Sequence, residues 1–257
     1  MRKIRFVDSA NTIRIGRYNG ETIEYGDTEY DPDSIRILPP TSPSKVITMG
    51  PNYQSALEMG SDGTSTDLSE IEIENPSDIT LSVVAPSSVV GHRGVVSLPT
   101  AGRYLHELEL AIVIGEDCRN VSRGRASEVI AGFTCFNDIT NFERTNSIDP
   151  TVLGLRTNSF DNCAPVGPIV ASPDLVPADA RMELRVNGEL RQETRRSNRI
   201  FSDDELIEEI SKYVALKPGD IVATGAPAGA EELTDGDSVA IEIEGIGELR
   251  HTVRANS

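Results

Sequence analysis

Glu107-Leu108-Glu109 places two carboxylates two residues apart, at the head of an apolar run from Leu108 to Ile114 that Gly115 ends. A run of that length and composition reads as a buried strand. On a strand, residues i and i+2 face the same way, about 6.5 Å apart along the chain. Two charged groups entering a core side by side need a cation or hydrogen bonds to hold them there. A divalent cation satisfies both. Asp138 closes a second apolar stretch, Gly132-Phe-Thr-Cys-Phe-Asn-Asp138, and is the candidate third ligand. The Glu-x-Glu spacing recurs at Glu70/Glu72/Glu74 and at Glu242/Glu244, so taken alone it also describes the solvated strand face of an acidic protein.

The elements that must position these groups follow from local pattern. Residues 1 to about 45 read as short strands, with alternation at Ile4, Phe6, Ile13 and Ile15, a turn at Asn19-Gly20, and a proline linker at Pro39, Pro40 and Pro43. This predicts a small N-terminal β segment (1–45) leaning on a main body (46–257). Val46–Met49 is a buried strand, and Gly50-Pro-Asn-Tyr53 turns the chain into a short helix over 53–59 that carries Glu58. Residues 60–75 are polar and aperiodic, a lid or a surface loop. Two strand-like runs lie in 79–98, and Ser122 to Ala131 reads as a short helix ended by Gly132. Residues 139–157 read as irregular. Ala164–Val170 reads as a strand interrupted by prolines. Asn187-Gly188 joins two alternating segments, Glu183 to Gln192, as a type I′ hairpin. Ser202-Asp-Asp-Glu205 is a capping box opening a helix with Leu206, Ile207, Ile210 and Val214 on its apolar face and Pro218 as its stop. Ile221–Thr224 is a buried strand that enters a glycine turn, Gly225 to Gly229. Strands around Val239–Ile243 and Glu248–Val253 close the chain. Many strands and few helices make an α+β, mostly β fold.

Composition narrows the partners. The 257 residues suffice for one large core, and a net charge of −17 repels nucleic acid. No apolar run approaches the roughly 20 residues needed to span a bilayer. The N-terminus, Met1-Arg-Lys-Ile-Arg-Phe6, lacks signal-peptide character. Three cysteines, Cys118, Cys135 and Cys163, have no ligand spacing and fit buried free thiols in a reducing cytoplasm. Lysine occurs only at Lys3, Lys45, Lys212 and Lys217. An acidic, lysine-poor chain of this kind resembles proteins from halophilic organisms, whose carboxylate surfaces are screened by salt.

Four stretches together resemble the fumarylacetoacetate hydrolase family: Gly50-Pro-Asn-Tyr53, Glu107 to Gly115, Gly132 to Asp138, and Leu216-Lys-Pro-Gly-Asp-Ile-Val-Ala-Thr-Gly-Ala-Pro-Ala-Gly229. Ser159-Phe-Asp161, Pro165 to Pro168, Val186 to Glu189 and Gly245 to Leu249 fall between and after them in the family's order. The resemblance implies a mixed β-sandwich roll, a homodimer, and a metal held by Glu107, Glu109 and Asp138. Such an all-oxygen site suits Mg²⁺, Mn²⁺ or Ca²⁺ rather than zinc. It further implies a small keto-acid substrate of the acylpyruvate or fumarylpyruvate kind. The metal then acts as a Lewis acid toward the developing enolate. Tyr53, Thr224 and Gly225 map onto the substrate side, with Thr224 reading equally well as a turn-capping hydroxyl.

The departures from the family pattern concern the chemistry. Hydrolytic relatives carry a histidine where this chain has Ala56, and Glu58 lies one residue early for the accompanying glutamate. Glu58 therefore reads as a base or as a plain solvent-facing residue. A family lysine is replaced by Asn158, which offers a hydrogen bond without charge. Phe142 and Thr145 stand where some relatives have arginine and glutamine, with Arg144 and Arg156 close by. His106 points away from Glu107 on a strand, and His92 and His251 read as structural. The expectation is a metal-dependent hydrolase cleaving a C–C bond of a 2-oxo acid. The alternatives are a decarboxylase or isomerase, which need no activated water, and a non-catalytic keto-acid binder.

Overall fold

The computed structural model describes residues 1–58, 73–99, 101–142 and 154–255. The N-terminal strands are β1 (Arg2–Val7), β2 (Ile13–Tyr18), β3 (Ile23–Tyr25), β4 (Thr28–Tyr30) and β5 (Arg36–Ile37). Ile4, Phe6 and Ile23 are buried, as alternation requires. Ile13 and Ile15 instead face solvent, because the inward position of β2 is Gly16, and a side chain there would meet Ile23 and Phe6.

The body follows with β6 (Val46–Met49), α1 (Gln54–Glu58), β7 (Leu81–Val84), β8 (Val89–Val90), β9 (Gly94–Leu98), β10 (Tyr104–Leu105), β11 (Leu108–Ile114), β12 (Ile130–Asn137) and β13 (Thr140–Asn141). After α2 (Gly154–Thr157) come β14 (Ala164–Ala171), β15 (Arg181–Val186), β16 (Glu189–Arg195), α3 (Asp203–Tyr213), β17 (Ile221–Ala223), β18 (Ser238–Ile243) and β19 (Gly247–Ala255). The fold is mostly β, as expected. The expected lid over 60–75 lies outside the described residues except for 73–75, and so does Met59.

The large sheet runs β4-β3-β2-β1-β14-β12-β11-β17-β6-β7, so the N-terminal strands join the main sheet through β1 against β14. A second sheet runs β16-β15-β18-β19-β9. Every residue of β11 and β14 is buried, so both faces are covered, which explains the lack of polar alternation along them apart from Glu109. The second sheet alternates. Val239, Ile241, Ile243, Leu249 and Val253 turn inward and share one core with Leu108, Leu110, Ile112 and Cys135 of the large sheet. All three cysteines are free. Among the described residues no helix is long and apolar enough to cross a membrane.

Two local signals hold as read. Asn187 and Gly188 take φ of 52° and 85° at the β15–β16 turn, the left-handed pair a type I′ turn requires. Ser202 and Glu205 form the reciprocal capping box, with the Ser202 N–H donating to Glu205 Oε2 at 2.9 Å. The helix it opens ends at Tyr213, several residues before Pro218.

One element differs from expectation. The short helix expected over 122–131 is a 3-10 helix, Arg123–Val129, that ends earlier than expected, since β12 has begun by Ile130. Gly132 lies inside that strand instead of capping a helix. A Cβ there would sit 2.1 Å from the Ala171 carbonyl oxygen of β14, so glycine is required by close strand approach. The expected irregular stretch after 139 contains β13 and α2 among its described residues.

Candidate metal centre

β11 and β12 are antiparallel, with Leu108 opposite Asn137 and Glu109 opposite Phe136. Glu107, just before β11, therefore faces Asp138, just after β12, and the Asp138 N–H donates to the Glu107 carbonyl at 3.2 Å. The two-residue period puts Glu109 on the same side as Glu107. One carboxylate oxygen from each of Glu107, Glu109 and Asp138 lies within 4.8 Å of the others. Glu109 is 1% and Asp138 4% exposed, while Glu107 is half-buried at the rim.

Among the described residues, few donors reach these carboxylates. The Gly225 N–H donates to Glu109 Oε2 at 2.7 Å. Thr140 Oγ1 donates to Glu107 Oε2 at 3.4 Å. Asn158 Nδ2 lies 3.3 and 3.4 Å from the two Asp138 oxygens, and Thr48 also bonds Asp138. Burial, then mutual repulsion, pushes the carboxyls of Glu109 and Glu107 up. Burial pushes Asp138 up as well, against the pull of Asn158 and Thr48. Three oxygen-only ligands, two of them buried, with this shortage of donors among the described residues fit a hard divalent cation, which would offset all three charges at once.

The opposite wall comes from β17, which pairs with β11 through Ala223 opposite Ala111. Beyond it, the Thr224 N–H and hydroxyl both donate to the Leu110 carbonyl, at 3.0 and 2.8 Å. The turn-capping reading of Thr224 describes this conformation, and a substrate contact would need its hydroxyl to rotate. Gly225 has φ of 86°, and a Cβ there would sit 2.9 Å from Asn52 Cβ. The left-handed turn aims the Gly225 N–H at Glu109.

Asn52 lies in the Gly50-Pro-Asn-Tyr53 stretch, but the sequence assigns it no role of its own. Fully buried, it donates from Nδ2 to the Thr224 carbonyl at 3.0 Å and accepts the Phe201 N–H at 2.8 Å. It thereby ties the start of α1 to the Gly225 turn. Asn137 is the second such residue: Oδ1 accepts the Glu107 N–H at 2.9 Å and Nδ2 contacts His251 Nε2 at 2.9 Å. The available signal for both was an amide side chain beside an apolar run.

The remaining candidates fall in several places. Asn158 is at the triad. Tyr53 is 1% exposed, and its hydroxyl points at Met182 Sδ, 3.8 Å away. Glu58 is exposed at the last residue of α1, whose buried residue is Leu57. Arg103 stacks over the Phe142 ring at 5.2 Å, Arg156 is exposed on α2, and Arg144 and Thr145 lie outside the described residues. The histidines have other partners: His106 Nδ1 contacts Gln192, His251 contacts Asn137, and His92 Nδ1 accepts the Arg250 N–H at 3.2 Å. Burial, then the charge of Arg93, depresses His92 to about 4, and burial depresses His251 to about 3.

Comparison with known proteins agrees with this architecture. Over 190 residues the chain is 36% identical to the 4-hydroxyphenylacetate degradation bifunctional isomerase/decarboxylase of Salmonella dublin, covering 70% of this chain and 42% of that one. The structure of a 5-carboxymethyl-2-hydroxymuconate delta-isomerase from Mycobacterium smegmatis is similar over 100% of both chains, with a TM-score of 0.86 and 29% identity. A maleylpyruvate hydrolase from Sphingobium sp. SYK-6, solved with manganese(II) and pyruvate, is similar over 100% of both chains, with a TM-score of 0.80 and 26% identity. Residues 45–254 match the fumarylacetoacetate (FAA) hydrolase C-terminal family. With that match spanning most of its length and the fold shared from end to end with such enzymes, the chain belongs to the fumarylacetoacetate hydrolase family.

Proposed function

We propose that this protein is a divalent-metal-dependent enzyme acting on a small 2-oxo acid through its enol or enolate, with isomerisation or decarboxylation favoured over hydrolysis. The observation that carries this reading is the convergence of Glu107, Glu109 and Asp138 on one buried point with Asn158, a neutral amide, as the side chain against Asp138. A cation bound there supplies Lewis acidity toward a 2-oxo carboxylate. Mg²⁺ is the expected ion, with Mn²⁺ and Ca²⁺ as alternatives of the same donor preference.

The chain's own residues then have distinct parts. Gly225 fixes the Glu109 rotamer through its N–H. Asn158 holds both Asp138 oxygens in one plane. Glu58 is the candidate proton carrier, on a helix whose Ser55 Oγ accepts the Ala228 N–H of the glycine turn at 3.4 Å. Thr224, with its hydroxyl turned away from the Leu110 carbonyl, is the candidate contact for the substrate carboxylate, with Gly225 and Tyr53 as the further substrate-side candidates. The similarity to an isomerase/decarboxylase and an isomerase supports enolate chemistry without an activated water.

A second reading is hydrolytic cleavage of a C–C bond in an acylpyruvate or fumarylpyruvate. The similarity to a maleylpyruvate hydrolase favours it. Both readings carry the family expectation of a homodimer, which sedimentation tests, and the net charge of −17 calls for assay in high KCl, the halophilic condition. The experiment is the loss of ultraviolet absorbance of 2-hydroxymuconate-type dicarboxylates, acylpyruvates and fumarylpyruvate with Mn²⁺ or Mg²⁺, with chelator and Glu109→Ala controls. Turnover abolished by both controls establishes the enzyme, and product analysis separates isomerisation, decarboxylation and hydrolysis. Tight metal binding with no turnover on any substrate favours a binding protein instead.

A further inference from the structure

β16 is the terminal strand of the five-stranded sheet, and its alternation turns Gln192 inward between the two sheets. An apolar residue suits such a position. Gln192 is instead a buried amide, 1% exposed, with every polar group engaged. Its Oε1 accepts the Leu108 N–H at 2.9 Å and contacts His106 Nδ1 at 3.0 Å. Its Nε2 donates to the Pro227 carbonyl at 2.9 Å and lies 3.4 Å from the Ala228 carbonyl. Leu108 is the residue between the two glutamates of the triad. Pro227 and Ala228 belong to the turn whose Gly225 N–H holds Glu109.

We propose that Gln192 is a positioning residue for the metal centre: one amide ties the Glu107–Glu109 strand to the Gly225–Gly229 turn and so keeps the Gly225 N–H on Glu109. The inference rests on the reading of the triad as a cation site. The geometry explains why an amide is needed. An amide offers acceptor and donor from one terminus without any change of protonation, in the fixed relative orientation that a backbone N–H on one side and a backbone carbonyl on the other demand. The contact with Oε1 also assigns the proton of His106 to Nδ1, which locks that ring as part of the same clamp. Gln192 touches none of the three carboxylates. It acts through Leu108 and Gly225, as outer residues of metal sites do.

The test uses the full-length protein carrying Gln192→Met, which keeps size and removes both halves of the tie. In the metal-free protein, hydrogen exchange at the Gly225 amide is expected to accelerate at least about tenfold relative to Ile112 in the centre of β11. Mn²⁺ affinity measured by calorimetry is expected to fall roughly 10–100-fold. A merely structural role would raise exchange at Gly225 and Ile112 alike. That uniform rise, unchanged Gly225 exchange, or unchanged Mn²⁺ affinity overturns the proposal. If Gln192→Met does not fold, Gln192→Asn decides. It keeps the amide but shortens it by one methylene, so it cannot reach the Leu108 N–H and the Pro227 carbonyl together; the same Gly225-specific acceleration is expected and its absence is fatal. If the wild-type protein binds no Mn²⁺, the cation reading of the triad fails, while the exchange result still tells whether Gln192 holds the Gly225 turn.

Discussion

β17 has a buried carboxylate problem at each end, and the two ends solve it differently. At its start, Asp220 is fully buried, and five donors surround it. The Ser44 N–H and hydroxyl lie at 2.8 and 2.7 Å, the Lys45 N–H at 3.1 Å, the Lys217 N–H at 2.9 Å and the Lys45 ammonium at 2.6 Å. Burial pulls this carboxyl upward, but Lys45, Ser44 and the backbone N–H groups outweigh it and hold it below the usual range. At the far end, three carboxylates share the Gly225 N–H and the weaker contacts of Thr140, Asn158 and Thr48. There burial and mutual repulsion win. Burial is therefore not what distinguishes the two ends; the number of donors is. Asp220 is completed by the protein's own groups, while the described residues leave the triad short of positive charge, which is the arrangement expected where the missing charge arrives from outside.

The comparison can be broken most forcefully at Asp220. Asp220→Asn leaves Lys45 without its partner and turns an amide N–H toward donors. It should destabilise the fold by about 3–5 kcal/mol in urea unfolding. Mn²⁺ affinity should stay within about twofold, since distant sites act independently. A variant that loses metal binding while keeping its stability would show the two ends are not separate.

Glu109→Gln should do the reverse. Mn²⁺ affinity by calorimetry should fall by at least about 100-fold, beyond the effect typical of outer residues. At pH 8 the metal-free protein should melt higher than wild type, because one member of a mutually repelling group of carboxyls has gone. A lower melting temperature in the metal-free variant would mean the triad is satisfied by the protein after all.

The pH dependence sharpens the contrast. Unfolded carboxyls titrate near ~4, and those of the metal-free triad titrate higher. The folded state therefore holds protons that the unfolded chain has released, and their contribution to stability is full below pH ~4 and declines as pH rises toward neutrality. Metal-free protein should melt progressively lower from pH 5 to 8 (scanning calorimetry). With saturating Mn²⁺ the carboxylates are already ionised, so the gap between the two melting curves should widen with pH. A constant gap would count against the triad as the binding site. The smallest effect is expected from Asn158→Ala, which removes one neutral donor from Asp138 and should weaken Mn²⁺ by at most about tenfold in the same titration. A larger loss would make Asn158 a ligand in its own right.

The sequence by itself determined the elements that need only local rules. The apolar run from Leu110 to Ile114 in β11, the Asn187-Gly188 turn and the Ser202–Glu205 box each carry their geometry in a few neighbouring residues. The triad was legible for the same reason: Glu107 and Glu109 share a face by the period of a strand, and Asp138 follows a second strand that can lie beside the first. What the tertiary structure decided depends on approach between distant segments. Gly132 marks the closeness of Ala171, some forty residues on, rather than a helix end, so local pattern misplaced the end of the helix at 123–129. Asn52, Asn137 and Gln192 are single amides whose meaning lies in the carbonyls and N–H groups of other strands, and no spacing within their own segments announces them. The shortage of donors around the triad and the abundance around Asp220 were likewise invisible in the chain, because both are counts of neighbours that only folding brings together.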